Sequence, residues 1–460
     1  MASPFDDVTH IGTRLELLTD DALIDRMDSV ELTLHSPVPR DVAIVHDNPW
    51  EGNVCFYHTV IRDDKLFRMY YRGAHYDNVR ETTIGKQVVC YAESDDGITW
   101  RKPNLDLIEF EGSTANNIIW DTEPESHNFA PFKDANPDCP PEQRYKALGG
   151  NNKGLHAFQS ADGIHWSRLQ EDYTITEGAF DSQNLAFWDP NRRCYAAYHR
   201  DFRTHGGELV RDIMTSTSPD FLHWTEPVWL DFTDVPVEHL YTNQVTPYYR
   251  APHMYMGFPK RFVPTRHPFG HKYVGVSDVV FMSSRDGVNF QRWGEALIRP
   301  GLQDERWENR NNFVAHGIVE TDSGVPGTPN ELTLYSMEGY YRGDSCQMRR
   351  YTLRLDGFVS ARGDRSGGSL ITRPLTFTGN RLQLNMSTSA AGGIRVELQH
   401  AHRLPVERFT LNDCDDIYGD AIDKVVTWNG NDNVGALSGQ PIRLRIVLND
   451  ADLYAYQFGQ

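Results

Sequence analysis

The chain has 460 residues, with 45 Lys and Arg against 64 Asp and Glu, for a formal net charge of -19. With that balance and no basic run to neutralise phosphates, nucleic acid and anionic membrane surfaces are excluded as expected partners. Aromatic residues make up 12% of the chain, 21 of them tyrosine, more than packing alone asks for, and such rings also serve as flat faces for sugars.

The first residues, Met1 to Asp7, lack the basic start and apolar run of a secretory signal, and no apolar stretch is long enough to span a bilayer. A soluble protein is expected, either cytoplasmic or secreted with its signal already removed. A short helix is predicted near 20–27 and a strand over 30–34, ended by Pro37 and Pro39, so residues 1–40 read as a strap against the main body. The six cysteines lie far apart with no C-x-x-C pair, which points neither to a zinc site nor to a dense disulfide framework.

From residue 41 a repeating grammar begins. Strands predicted over 54–62, 65–73 and 87–93 lead to the turn Ser94-Asp95-Asp96-Gly97-Ile98-Thr99-Trp100. A second unit (128–133, 145–149, 154–159) ends in Ser160-Ala161-Asp162-Gly163-Ile164-His165-Trp166, and a third (184–188, 194–200, 212–217) in Ser218-Pro219-Asp220-Phe221-Leu222-His223-Trp224. A fourth (244–249, 253–259, 279–283) ends in Ser284-Arg285-Asp286-Gly287-Val288-Asn289-Phe290, and a fifth (313–320, 332–337, 346–355) in the echo Asp356-Gly357-Phe358. The closing aromatics Trp100, Trp166, Trp224, Phe290 and Phe358 stand 66, 58, 66 and 68 residues apart, the signature of one structural unit used five times. Asp accepts from the amides ahead of it, Gly supplies the left-handed backbone, and the aromatic anchors the turn.

Five units of antiparallel strands with few helical patterns predict an all-β protein: a five-bladed β-propeller over 41–358, with a β-sandwich of the same strands as the rival architecture. Beyond the Gly- and Ser-rich run 360–369, strands at 370–377, 381–385, 394–399 and 442–448 lack the repeated turn. They predict a C-terminal β-sandwich over 359–460.

In a propeller the innermost strand of each unit points its leading end at the axis, so the segments ahead of those strands converge there. They hold His46, Asp47 and Trp50; then His127, Asn128, Lys133 and Asp134; then Asp181 and Asn184; then Glu238, Tyr241 and Asn243; then Trp307, Asn309 and Arg310. Arg72, within the second strand of unit one, is added as a substrate-binding candidate. Cleaving a glycosidic bond uses this kit: carboxylates as base or nucleophile and as acid, beside groups that pull their pKa values apart. Arg250 and His253, and Pro259-Lys260-Arg261-Phe262, flank a strand of unit four, where they clamp hydroxyls or an acidic substituent or else form surface salt bridges. Trp50, Tyr241 and Trp307 stack on sugars or serve packing, and His316 reads as a satisfied core histidine or as a ligand to a central calcium or water cluster. No metal ligand set is assigned; no cofactor is required, with a structural calcium near the axis as the one candidate ion.

On these residues the chain resembles the five-bladed propeller glycoside hydrolases, the groups containing invertase and levanase, arabinanase and β-xylosidase, and the neoagarooligosaccharide hydrolases, over roughly 40–358, with a tail like the invertase sandwich. The resemblance implies that Asp47, in Asp47-Asn48-Pro49, is the base or nucleophile and that Asp134 fixes the substrate and tunes the acid. The third-unit Glu-Cys motif of those enzymes is replaced by Phe180-Asp181-Ser182-Gln183-Asn184, so Glu238 is taken as the acid, with Asp181 or Glu177 behind it. The expected activity is hydrolysis of a terminal glycosidic bond of an oligo- or polysaccharide, with a glycoside phosphorylase, which needs a basic phosphate pocket, or a non-catalytic carbohydrate-binding propeller as rivals. Sugar identity and oligomeric state are not written in the motifs.

Overall fold

The computed structural model describes residues 8–232 and 235–460, nearly all of them in strands, turns and loops. The chain divides into two units, Pro37–Thr352 and Met1–Ser36 with Leu353–Gln460.

In the first of these, five sheets follow one another in a propeller-like arrangement, four of four strands and one of seven. Sheet one comprises Phe56–Asp63, Leu66–Asp77, Thr82–Ser94 and Ile118–Trp120; sheet two Ala130–Lys133, Tyr145–Asn151, Gly154–Ser160 and Ser167–Arg168. Sheet three comprises Leu185–Asp189, Cys194–His205, Glu208–Ser218 and Val228–Trp229. Sheet four is built on Thr246–Tyr248, Ala251–Gly257, Val276–Ser284 and Asn289–Ile298, with Asp231–Phe232 pairing parallel to the last of these and Lys260–Val263 and His239–Leu240 added at its side. Sheet five comprises Val319–Thr321, Glu331–Glu338 and Cys346–Arg354, and its fourth strand comes from the far end of the unit: Val38–His46 pairs with Cys346–Arg354, His46 opposite Cys346.

Sheets stacked face to face must bury both surfaces, and the sequence supplies this as continuous apolar runs. In the run Met69-Tyr70-Tyr71 all three side chains are buried, yet Met69 and Tyr71 belong to one core and Tyr70 to another, because successive side chains leave a strand on opposite faces.

The four full turns share one construction. Ser94 Oγ accepts from the amides of Asp96 and Gly97 at 3.3 and 2.9 Å, and Asp96 Oδ1 accepts from the amides of Ile98 and Thr99, both at 2.7 Å. Gly97, Gly163 and Gly287 sit at φ +71°, +78° and +77°; Phe221, which replaces the glycine in the third turn, is held at +70°. Each turn is also gripped by the neighbouring sheet. Tyr335 of sheet five donates to Gly97 O, Arg68 of sheet one to Asp162 O at 2.9 Å, Thr174, attached to sheet two, to Leu222 O at 2.6 Å, and Tyr198 of sheet three to Gly287 O at 2.7 Å. The repeat is therefore a joint between sheets.

Burial alone would raise the Asp162 carboxyl, but the bonds from the His165 amide and ring and the Ile164 amide hold it at about 2. A depressed folded pKa means this stabilisation is complete above pH ~4 and is lost as pH falls through about 2. We expect Asp162→Ala to cost about 1–3 kcal/mol, two or three hydrogen bonds' worth, with kcat/KM of the folded protein unchanged; urea titration and steady-state kinetics check this.

In the other unit ten strands form one hydrogen-bonded sheet. The N-terminal residues expected to be a strap with a helix near 20–27 are strands of this sheet: Ile24–Asp28 pairs with Gly368–Thr372 and Val30–Leu34 with Val359–Gly363. The reason is apolar: Ile11, Leu18, Leu23 and Ile24 complete a core with Leu384, Val396, Leu444 and Leu453. Residues 1–7 of the expected strap lie outside the described residues. The long strands Arg381–His400 and Ile442–Gly459 pair along their length with register shifts at Asn385/Met386 and Thr388/Gly393, where bulges bend the sheet.

Candidate functional site

The inner strands of sheets one and two run between two cavities. Near their leading ends a cavity of about 440 Å³ is lined by Gln87, Glu123, His127, Asn128, Phe180, Asp181 and Arg310, among others; near their trailing ends lies another, of about 400 Å³, lined by Ile61, Arg62, Lys133, Asp134 and His316.

Asp181 is the centre of the first cavity. Its Oδ1 accepts from His127 Nε2 at 3.0 Å and from the Tyr57 hydroxyl at 3.3 Å, and Tyr57 in turn meets Tyr241 OH at 3.1 Å. His127 Nδ1 faces Arg72 Nη1 at 3.2 Å. Burial, then Arg72, lowers the His127 pKa; with the proton of the neutral ring on Nε2, Nε2–H donates to Asp181 and Nδ1 accepts from Arg72, while the Gln87 side-chain amide, 3.0 Å from Nδ1, fits this tautomer only with its NH2 turned toward the ring. Burial by itself raises the Asp181 carboxyl, but the bond from His127 and the charges of Arg200 and Arg310 hold it well below the usual carboxylate range. Asp181 is ionised, and 51% of its side-chain surface is open to the cavity.

Around this one carboxylate stand five cations from four sheets. Arg72 lies on the second strand of sheet one, 5.2 Å from the Tyr57 ring; Arg200 lies on the second strand of sheet three, 5.0 Å from the Tyr241 ring, with Arg211 on the strand beside it. Lys260 of sheet four is buried, its Nζ 4.5 Å from the Tyr241 ring and 5.7 Å from Phe56, and Arg310, leading into sheet five, lies over Tyr340 and Tyr341 at 6.0 and 5.7 Å. Among the described residues none of the five forms an ion pair, whereas Arg68, Arg101 and Arg261, outside the site, each do. Burial, then Arg310, Arg211 and Arg200, pushes the Lys260 ammonium well below the ordinary lysine value. Arg310 of the cavity lining, Tyr57, which bonds Asp181, and Tyr341, which lies under Arg310, are also held in left-handed backbone that non-glycine residues resist, at φ +71°, +55° and +67°.

Of the residues singled out in the sequence, His127, Asp181, Arg72, Tyr241 and Arg310 meet here. Asn128, Asn184 and Asn243 stand at the same level but spend their amides on backbone: Asn128 and Asn184 donate to Phe180 O, and Asn243 to Tyr198 O. The other three expected carboxylates lie elsewhere. Asp47 is 69% exposed, bonded to Lys102 Nζ at 3.1 Å, and lines a separate cavity with Trp50 and Trp100. His46 and Trp50 go with it, because 38–46 is the outer strand of sheet five and not an approach to the axis; His46 is buried with Nε2 2.9 Å from His58 Nε2, and Trp50 donates to Asn117. Asp134 follows its strand, so it lies at the trailing cavity, fully buried against Lys146 and Tyr195; Lys133 there pairs with Asp63, and His316, pulled down to about 4 by burial, reaches Val245 O at 3.2 Å. Glu238 lies beside the added strands of sheet four, between Arg261 and Arg292 at 3.0 and 2.7 Å.

Glu177 is exposed, Arg250 occupies the turn at the trailing end of sheet four, and His253 lies on that sheet's second main strand. Trp307 and Asn309 are occupied with Gly301 O and Val274 O. Sequence reasoning missed Glu123, Tyr57, Arg200 and Arg211. Glu123 stands four residues before His127, just outside the segment considered, and the two arginines come from second and third strands. Among the described residues no group of three or more His, Cys, Asp or Glu side chains is arranged to hold a metal ion, and no helix is long and apolar enough to cross a membrane.

No protein-family model and no curated protein sequence matches the chain. Solved structures it resembles include the catalytic domain of a GH62 α-L-arabinofuranosidase from Coprinopsis cinerea, at 10% identity over 69% of this chain and 97% of that one, TM-score 0.44. An endo-arabinase from Bacteroides thetaiotaomicron is similar at 10% identity over 68% and 98%, TM-score 0.39. A β-1,2-mannobiose phosphorylase from Listeria innocua is similar at 12% identity over 71% and 97%, TM-score 0.42.

Proposed function

We propose that the chain is a carbohydrate-active enzyme that breaks a glycosidic bond in the axial cavity at Asp181. The supporting observation is that two carboxylates, Asp181 and Glu123, line one cavity of about 440 Å³ whose walls also carry amides and an aromatic ring, a size and lining suited to a sugar ring. Asp181, held ionised and oriented by His127 and Tyr57, is the base or nucleophile. Glu123 at the rim, with its Oε1 3.4 Å from the Gln87 amide, is the proton donor to the leaving oxygen.

A panel of aryl glycosides and natural oligosaccharides, run with and without inorganic phosphate, tests this reading. Cleavage of at least one member by the wild type and none by Asp181→Asn is expected. Released free sugar marks hydrolysis and sugar phosphate marks phosphorolysis. A panel left intact under both conditions, or cleaved equally by the variant, would sink the proposal.

A further inference from the structure

Buried charges are ordinarily paired, because an ion taken out of water needs a partner to replace its hydration. The wall of the axial cavity departs from that rule on one side only. Arg72, Arg200, Arg211, Lys260 and Arg310 form no ion pair among the described residues, and the one carboxylate close to several of them, Asp181, is bonded to His127 and Tyr57 instead. Lys260 is the extreme case, 1% exposed and flanked by the rings of Tyr241 and Phe56. Arg310 is the member that itself lines the cavity, and its backbone is kept at φ +71° to place it there. Such an arrangement is poor for a resting protein and suited to a missing negative ligand.

We infer that Arg310, backed by Lys260 and Arg200, is an oxyanion subsite of the cavity, so that the enzyme's substrate or co-substrate carries a carboxylate, sulfate or phosphate group. The inference rests on the cavity being the active site, as proposed above, and it sets the substrate class. The anion comes from one of two sources: a group on the sugar itself, as in a uronic acid or sulfated sugar, or free phosphate acting as the attacking group. In either case the bound anion offsets the cations that hold Asp181 ionised and raises the Asp181 carboxyl toward the ordinary range.

The test uses the full chain in a phosphate-free amine buffer at low chloride, with isothermal titration and thermal unfolding read against inorganic phosphate, sulfate, glucuronate and, as a neutral control, glucose. Binding of phosphate or sulfate without glucuronate identifies a free or ester oxyanion; binding of glucuronate identifies a sugar acid; both support the subsite. Lys260→Met is expected to raise the Tm of the unliganded protein, because a buried amine with no carboxylate partner is replaced by an apolar side chain, while weakening the anion at least tenfold. Arg310→Gln gives the same weakening without touching the buried lysine. Asp181→Asn, which removes the competing negative charge, keeps or tightens anion binding while abolishing turnover, so anion binding with no glycoside cleaved by the wild type would retain the subsite and reject the enzymatic reading. The inference is overturned if no anion binds the wild type, or if binding is unchanged in both Lys260→Met and Arg310→Gln.

Discussion

Asp181→Asn is expected to lower kcat by at least ~10²–10⁴, the span attributed to a single acid–base group, and by more if the carboxylate attacks carbon directly. The amide keeps an oxygen where Tyr57 and His127 donate, so the substitution leaves the local geometry in place and removes the charge and the basicity. Because Asp181 is the carboxylate among the five cations, the variant should also be modestly less stable when no anion is bound. Asp47→Asn and Glu238→Gln serve as controls. Their carboxylates are engaged by Lys102 and by Arg261 and Arg292 away from the cavity, and kcat/KM should stay within about twofold of wild type. A hundredfold loss in either control with Asp181→Asn near normal would move the active site away from the cavity described.

Asp134→Ala is expected to produce the largest stability loss of any substitution considered, about 3–5 kcal/mol, the usual cost of removing one member of a buried ion pair. Asp134 is fully buried, and its Oδ2 takes bonds from Lys146 Nζ at 2.5 Å and the Tyr195 hydroxyl at 2.7 Å. Without it Lys146, 2% exposed, is left charged and uncompensated in the interior. The specificity constant of the fraction that remains folded should be unaltered, since the residue stands at the trailing end of its strand. Denaturant unfolding followed by tryptophan fluorescence checks the first part, and kinetics normalised to folded protein the second. A loss of turnover with stability intact would restore the substrate-fixing role that the sequence resemblance implies.

The sheets were legible because the Ser-x-Asp-Gly-x-x-aromatic turn encodes its own backbone: a hydroxyl and a carboxylate that cap local amides and a glycine that takes φ above zero, each within seven residues. Strand positions followed from that punctuation. The site was legible mainly where the chain approaches an inner strand directly, which gave His127, Asp181, Tyr241 and Arg310; Arg72, on the second strand of sheet one, was the exception. Asp47 was misplaced because its flanking run, 38–46, hydrogen-bonds to a strand of sheet five, a pairing with no local signal. Arg200, Arg211 and Lys260 stand behind the cavity lining, on strands behind the inner ones, and nothing in their immediate sequence separates them from Arg261, which ends in salt bridges with Glu238 and Asp278. Their common property is a shortage of partners, which shows only when the carboxylates around them have been placed.

The pairing of Val38–His46 with Cys346–Arg354 bears on how the protein is made. On a ribosome the first strand emerges long before its partner, and the turn at Gly97 likewise waits for Tyr335. Until the last sheet has been synthesised, the nascent chain carries an unpaired strand edge, the kind of surface that invites pairing with another copy. Val38 and Val45, which remain exposed in the finished fold, give that edge apolar side chains, and only Pro39, Arg40 and Asp41, near its start, oppose such pairing. Slow translation beyond residue 300, or truncation before residue 346, should therefore yield aggregates in preference to a soluble ring with one sheet missing.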